Sequence, residues 1–180
     1  LGDRIRMNAI DDSRVYMRSL ATRDSTSEIS DALDEAIDIC KAAGYDLILV
    51  ETSGIGQGDD AITKFADVSV YVMTAEYGAA TQLEKIEMLD FADMVALNKF
   101  ERRGSLDALR DIRKQVWRNK GATKNTKPAD MPVYPSIVSQ FNDLGVNALY
   151  IELLKRIGKV AGVDPQTRYF TQVCGAEGPD

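Results

Sequence analysis

Hydrophobic and polar positions follow two different periods along the chain. After a capping-box spacing at 25–28, apolar residues recur every three or four positions from Ile29 to Cys40, and Gly44 then provides a natural stop. This pattern predicts one amphipathic helix. Continuous apolar runs of strand length follow at 47–50, 68–73, 94–97 and 133–134. Such runs are typical of strands that are buried in a parallel sheet.

Helical spacing returns between and after these runs, at 60–65, 80–91, 105–117 and 146–160. The alternation of strands and helices predicts an α/β fold with a doubly wound, mostly parallel sheet.

Three segments are less regular. Hydrophobic and polar side chains alternate in residues 15–20, which makes this segment a candidate edge strand. The polar stretch 119–132 predicts a flexible connection. Residues 163–180 have little periodicity and read as a tail or a linker to a following domain, so we expect the domain body to cover 1–162.

Composition and charge exclude several classes of function. The 180 residues include 22 Lys and Arg, 28 Asp and Glu and no histidine. The net charge of −6 argues against non-specific binding to nucleic acid or to an anionic membrane. Without histidine, Ser-His-Asp catalysis and His-ligated metal sites are impossible, whereas phosphate chemistry remains open.

Cysteine use and hydropathy indicate the cellular compartment. Cys40 and Cys174 are far apart in the sequence and are expected to be two reduced thiols. No apolar run approaches the roughly 20 residues of a membrane span, and no leader-like segment opens the sequence. We therefore expect a cytoplasmic protein.

Candidate chemistry lies after the apolar runs, because ligands of open parallel sheets bind beyond the carboxyl ends of the strands. The run 47–50 is followed by Glu51 and a glycine-rich segment that includes Gly54. A carboxylate at a strand end can hold hydrated Mg²⁺, and a glycine lets a backbone amide approach a terminal phosphate. The alternative is an ordinary glycine-rich turn.

A second motif follows the run 94–97, where Asn98, Lys99 and Glu101 occur together. Guanine presents an N1–H and an N2 amino group side by side, and one carboxylate can accept both, whereas adenine has no such pair of donors. The stem of Lys99 can cover the base, and Asn98 can tie the loop to its neighbours. Alternatively, Glu101 serves only the dipole of the next helix.

A third, weaker motif follows the run 133–134. A loop here can direct a backbone amide at the guanine O6 atom, with Ser139 supporting it and Gln140 beside it. The alternative is that these residues only form a turn.

Taken in this order, the residues resemble the MeaB-type GTPases, within the metallocentre-assembly and cobalamin-chaperone group of P-loop GTPases. Residues 1–7 resemble the switch I segment of that family, residues 51–57 its switch II, and residues 98–101 its guanine-specificity motif. The first two segments are specific to the family, and the third is general to GTPases.

The resemblance implies where the phosphates and the metal lie. Asp3 and Glu51 would be near Mg²⁺, and Gly54 would be near the γ-phosphate. Gln57 would position the attacking water or, alternatively, cap the following helix. Residues 73–80 occupy the place of an additional switch that relays the nucleotide state to a mutase; the alternative is an ordinary strand-to-helix loop.

The resemblance also implies the base-binding residues and the biological role. Lys99 and Glu101 would contact guanine, with Ser139 or Gln140 in the last base-contacting loop. The module would bind and hydrolyse GTP and gate the loading and protection of adenosylcobalamin in an acyl-CoA mutase. That mutase, in the same polypeptide or a separate subunit, would hold the adenosylcobalamin. The longer protein to which this chain would belong is expected to be a homodimer.

Two departures from the family pattern change the expectations. Glu101 stands where Asp is usual, which keeps the acid but lengthens it by one methylene. No G-x-x-x-x-G-K-[ST] motif occurs, so we expect the first strand, the phosphate loop and the first helix to be missing and this fragment alone to be inactive. A non-catalytic interaction fragment and a related metallocentre-assembly ATPase remain the alternatives.

Overall fold

The computed structural model describes residues 7–21, 29–52, 60–77, 83, 86–121, 123 and 125–164. The chain divides into two compact units, Leu1–Gly56 and Gln57–Asp180.

The first unit contains the predicted helix, α1, at Leu33–Ala42. Leu33 and Ile37 are buried, one turn apart on the same face of the helix. The acidic residues Asp34 and Glu35 lie in the first turn and Lys41 lies in the last, a distribution that favours the helix dipole. The helix is therefore confirmed, although it begins four residues after Ile29; the capping box at 25–28 lies outside the described residues.

The two strands predicted in the first unit are not present. Residues 15–20 and 47–50 form no strand, and the side chains of Leu47 and Leu49 are exposed. A strand is held by hydrogen bonds to a neighbouring strand, and the described part of this unit contains no strand for either segment to pair with. The ring of Tyr16 instead lies 6.3 Å from the ring of Tyr45.

The second unit is built on a three-stranded parallel sheet. Its strands are β1 (Val70–Thr74), β2 (Met94–Asn98) and β3 (Val133–Pro135), and their spatial order is β1-β2-β3. Each strand coincides with a predicted apolar run. The register pairs Met73 with Leu97 and Leu97 with Pro135, so the three strands end at a common edge.

Helices and short helical turns connect these strands. The α-helices are α2 (Met88–Phe91), α3 (Ser105–Asn119) and α4 (Leu144–Ala161), and the 3₁₀ helices are Asp60–Lys64, Ala75–Tyr77 and Pro128–Asp130. The helices predicted at 105–117 and 146–160 are confirmed and extend slightly further. The stretch 60–65 is a 3₁₀ helix, and residues 80–82, 84 and 85 of the stretch 80–91 lie outside the described residues.

The main core lies between α3 and the sheet. Ala108, Ile112 and Val116 recur every four residues on the buried face of α3, and they cluster with Val95 and Leu97 of the central strand. Met94 and Ala96 point to the opposite face of β2 and are buried as well. Because both faces of β2 are covered, the predicted α/β class is confirmed.

The connection between α3 and β3 is ordered by side-chain hydrogen bonds. The indole Nε1 of Trp117 donates to the carbonyl of Thr126 at 3.1 Å, and the Lys127 amide donates to Asp130 Oδ2 at 2.9 Å. Arg113 Nη2 also donates to the carbonyl of Val133, and burial lowers the pKa of this guanidinium. The segment predicted to be flexible therefore contains a defined turn. Among the described helices, none has the length and apolarity needed to cross a bilayer.

Candidate functional site

The loop that follows β2 holds its first residues in a strained conformation. Lys99 has φ of +56°, in the left-handed region that residues other than glycine rarely occupy. The side chain of Asn98 stabilises this conformation, because its Oδ1 accepts the Lys99 amide at 2.8 Å. The Lys99 carbonyl then accepts the Arg102 amide at 3.0 Å and closes the turn. Strain that is fixed in this way is common at binding sites.

The charged side chains of this loop are available to a ligand. Lys99 and Glu101 are both exposed, and neither forms an ion pair within the described part of the chain. Arg102 differs, because its guanidinium pairs with Glu76 in the 3₁₀ helix that follows β1. One carboxylate and one ammonium group are thus presented to solvent next to a fixed turn.

The loop that follows β3 is joined to the first loop through the backbone. The amide of Ser136 donates to the carbonyl of Leu97 at 2.9 Å, and the amide of Phe100 donates to the carbonyl of Ser136 at 3.2 Å. Ser136 is 1% exposed. These two bonds continue the β2–β3 pairing beyond the strands and hold the two loops side by side.

A side-chain bond also links the two loops. Asn98 Oδ1, which already accepts the Lys99 amide, accepts the Val138 amide at 3.4 Å. The predicted role of Asn98 as a tie between neighbouring loops has this geometry.

The far end of the second loop is fixed by the start of α4. Asp143 is the N-cap of this helix, and its Oδ2 accepts the amides of Val146 at 2.8 Å and Ile137 at 3.2 Å. A Cβ atom on Gly145 would lie 1.6 Å from the carbonyl oxygen of Pro135, so only glycine permits this close approach of helix and strand. Residues 136–143 therefore form a loop that is held at both ends.

Ser139 and Gln140 lie in this second loop and are exposed. The Gln140 amide donates to the carbonyl of Ile137 at 2.9 Å, so it is used within the loop. The structure thus brings Ser139 and Gln140 into the loop beside Asn98. That one of their amides reads the guanine O6 atom stays a prediction.

The residues predicted to bind phosphate and metal are described only in part. Glu51 lies in the first unit, where its side chain is exposed, and a carboxylate is a suitable donor for Mg²⁺. Asp3, Gly54 and Gln57 lie outside the described residues. Their roles, and that of Glu51, stay predictions.

Three residues of the second loop were not singled out by the sequence. Asp143 had a usable signal, since an Asp just before an apolar helical pattern is a typical N-cap. Ser136 had no such sequence signal, because its importance lies in backbone hydrogen bonds to a segment about forty positions away. Phe141 is 98% exposed, which an apolar residue type does not suggest.

The two loops together suit recognition of a planar base. An exposed carboxylate can accept two adjacent N–H donors, and the neighbouring lysine stem offers an apolar surface with a charged end. Because hydrogen bonds already join the two loops, a ligand would not have to order one loop against the other.

Comparison with known proteins gives a match to one family. The profile of the family described as "Methylmalonyl Co-A mutase-associated GTPase MeaB" matches residues 1–129. This match agrees with the resemblance of residues 1–7, 51–57 and 98–101 to that family.

Individual relatives are longer proteins. The chain is 57% identical over 171 residues to the fused isobutyryl-CoA mutase of Geobacillus kaustophilus, covering 95% of this chain and 16% of that protein. It is 61% identical over 163 residues to the fused isobutyryl-CoA mutase of Paraburkholderia xenovorans, covering 88% of this chain and 13% of that protein. It is also 33% identical over 100 residues to the mitochondrial methylmalonic aciduria type A homolog of Mus musculus, covering 55% of this chain and 24% of that protein. The chain thus spans less than a fifth of the two fused mutases.

Proposed function

Since the chain belongs to the MeaB family of methylmalonyl-CoA mutase-associated GTPases, we propose that it is the GTP-binding part of a fused acyl-CoA mutase. In this proposal it binds and hydrolyses GTP and thereby gates the loading and protection of adenosylcobalamin in the mutase. The likeness to fused isobutyryl-CoA mutases at 57% and 61% identity supports a mutase in the same polypeptide.

The observation that carries the proposal is the pairing of two loops at the common edge of the sheet. Asn98 accepts the amides of Lys99 and Val138 and so joins the guanine motif to the loop that bears Ser139 and Gln140. In this proposal Glu101 accepts N1–H and the N2 amino group of guanine, and Lys99 covers the base. A backbone amide near Ser139 or Gln140 contacts O6.

Hydrolysis is assigned to the first unit and the segment that follows it. Glu51 and Asp3 are proposed to hold Mg²⁺, which neutralises charge on the phosphates when it is bound. Gly54 gives the γ-phosphate access to a backbone amide, and Gln57 orients the attacking water. This chemistry depends on positioning and electrostatic stabilisation and needs no covalent intermediate.

The mutase chemistry belongs to other parts of the polypeptide. Adenosylcobalamin is proposed to bind there and not to this chain. Residues 73–80, which begin at the end of β1, are proposed to relay the nucleotide state to the mutase. The Glu76–Arg102 ion pair supports this, because it connects that segment to the loop of the guanine motif. The fused polypeptide is proposed to be a cytoplasmic homodimer that binds neither nucleic acid nor membrane.

The test is GTP hydrolysis by the full-length polypeptide that contains this chain. Replacing Glu51 by Ala should lower kcat by about 100-fold, the usual cost of losing one electrostatic contact in the transition state. Glu35→Ala is the matched control, because Glu35 is an exposed acid on α1 of the same unit. Equal rates for Glu51→Ala and the unmodified protein would reject the assignment and favour an interaction module.

A further inference from the structure

Phe141 is the most exposed large hydrophobic side chain in the described part of the chain. It is 98% exposed, whereas Leu49, the next in order, is 78% exposed. Val138 and Leu144 on either side of it are 65% and 60% exposed. An aromatic ring that is fully solvated in this way is unusual for a residue type that normally contributes to the core.

The exposure of Phe141 does not come from a loose loop. Asn142, the next residue, has φ of +57°, and its Oδ1 accepts the side-chain amide of Asn147 at 2.8 Å. Asp143 then caps α4 and also accepts the amide of Ile137. With both ends of the loop fixed, the exposed position of Phe141 belongs to a loop of defined conformation.

The place of Phe141 in the chain limits its distance from the guanine motif. Val138 donates its amide to Asn98, and Phe141 is three residues further along. Three residues span at most about 11 Å even when fully extended, so the Cα atoms of Val138 and Phe141 are no further apart than that, a separation that a phenylalanine side chain and a purine can bridge.

We propose that Phe141 is a base-stacking residue, whose ring covers one face of the guanine that Glu101 recognises by its edge. This inference rests on the proposed nucleotide site. Aromatic rings stack on any nucleobase, because every base has a π-face, whereas a carboxylate reads the donors on one edge only. The two residues therefore have separable effects: Phe141 sets affinity for the base, and Glu101 sets the choice of base.

The experiment is calorimetric titration of the full-length polypeptide with GDP, with IDP, which lacks the N2 amino group, and with pyrophosphate, which lacks the base. Phe141→Ala should lower the affinity for GDP and the affinity for IDP by a similar factor of about 10 or more, within the range seen for loss of one stacking partner. Pyrophosphate should bind as before, within about twofold, because it has no ring to stack.

Three further variants complete the test. Phe141→Tyr should keep GDP affinity within about threefold, since it retains the ring. Leu106→Ala removes another exposed apolar side chain, on α3, and should change GDP affinity by less than about twofold. Glu101→Ala should lower the affinity for GDP more than the affinity for IDP, because only GDP has the N2 amino group that donates a hydrogen bond to the carboxylate.

The possible results separate the two proposals. Unchanged GDP affinity in Phe141→Ala would overturn the stacking role. The exposed ring would then be assigned to a contact with protein. An equal loss for pyrophosphate would show that the substitution only distorts the loop, which also overturns it. If the unmodified polypeptide does not bind GDP at all, the proposed nucleotide site itself fails.

Discussion

Gly145 shows how one missing side chain shapes the candidate site. Its position in the first turn of α4 brings the helix backbone against the carbonyl of Pro135, at the end of β3. The same approach holds the start of α4, where the loop 136–143 ends, close to the end of β3. At the same scale, Lys99 has a positive φ, and the hydrogen bond that its amide donates to Asn98 Oδ1 stabilises that conformation.

Replacing Gly145 by Ala should destabilise the protein strongly. The new methyl group would overlap backbone atoms that cannot move aside as a flexible side chain can, and we expect the free energy of unfolding to fall by about 3 kcal/mol. Urea denaturation measures this change.

Gly121→Ala is the control for backbone strain. Gly121 has φ of +77° and open space around it, so Ala there should cost only about 1 kcal/mol. A Gly145→Ala protein as stable as Gly121→Ala would mean that the close approach of α4 to β3 is absent.

At the scale of elements, the N-terminus of α4 connects the stability of a helix to the order of the candidate site. Asp143 satisfies one amide of the helix and one amide of the loop with the same oxygen atom. Removing that oxygen therefore affects both the stability of α4 and the order of the loop.

Asp143→Ala should lower the free energy of unfolding by about 1–2 kcal/mol, as loss of an N-cap usually does. It should also speed hydrogen exchange at the amides of Ile137 and Val146, which lose their acceptor. Denaturation and exchange followed by NMR measure the two effects.

Asp143→Asn is the matched comparison, because Asn caps helices about as well as Asp and keeps one acceptor oxygen. Its stability should remain within about 0.5 kcal/mol of the unmodified protein. If Asp143→Ala left the exchange of Ile137 unchanged, the loop would be held by other contacts.

The sequence predicts elements well where local pattern and burial agree. The run that corresponds to β2 is apolar from Met94 to Leu97, which is the pattern expected of a strand that is covered on both faces. The helix α3 repeats its apolar residues every four positions and was equally clear. The run 47–50 has the same composition, yet it forms no strand, because strands also need a partner that the pattern does not specify.

At the scale of the whole molecule, the order of motifs along the sequence predicts which strand end carries which chemistry. Glu51, Glu101 and Ser139 follow three of the four apolar runs, and the rule for parallel sheets predicts that residues in such positions lie at one edge. The last two runs form adjacent strands, and the loops that follow them are hydrogen bonded to each other.

The details of that contact could not be predicted from the sequence. The bond from Val138 to Asn98 joins residues 40 positions apart and depends on the register of β2 against β3. The exposure of Phe141 follows from the path that the loop 136–143 takes between β3 and α4. Both are products of tertiary geometry, which residue types alone leave open.

The central claim is that the loops after β2 and β3 form a guanine site, and competition between nucleotides tests it most directly. Calorimetry of the full-length polypeptide should give a Kd for GDP of about 1 μM or lower. ADP should bind about 100-fold more weakly, because adenine lacks the donor pair that Glu101 accepts. Equal affinity for ADP and GDP, or no binding of GDP, would contradict the account.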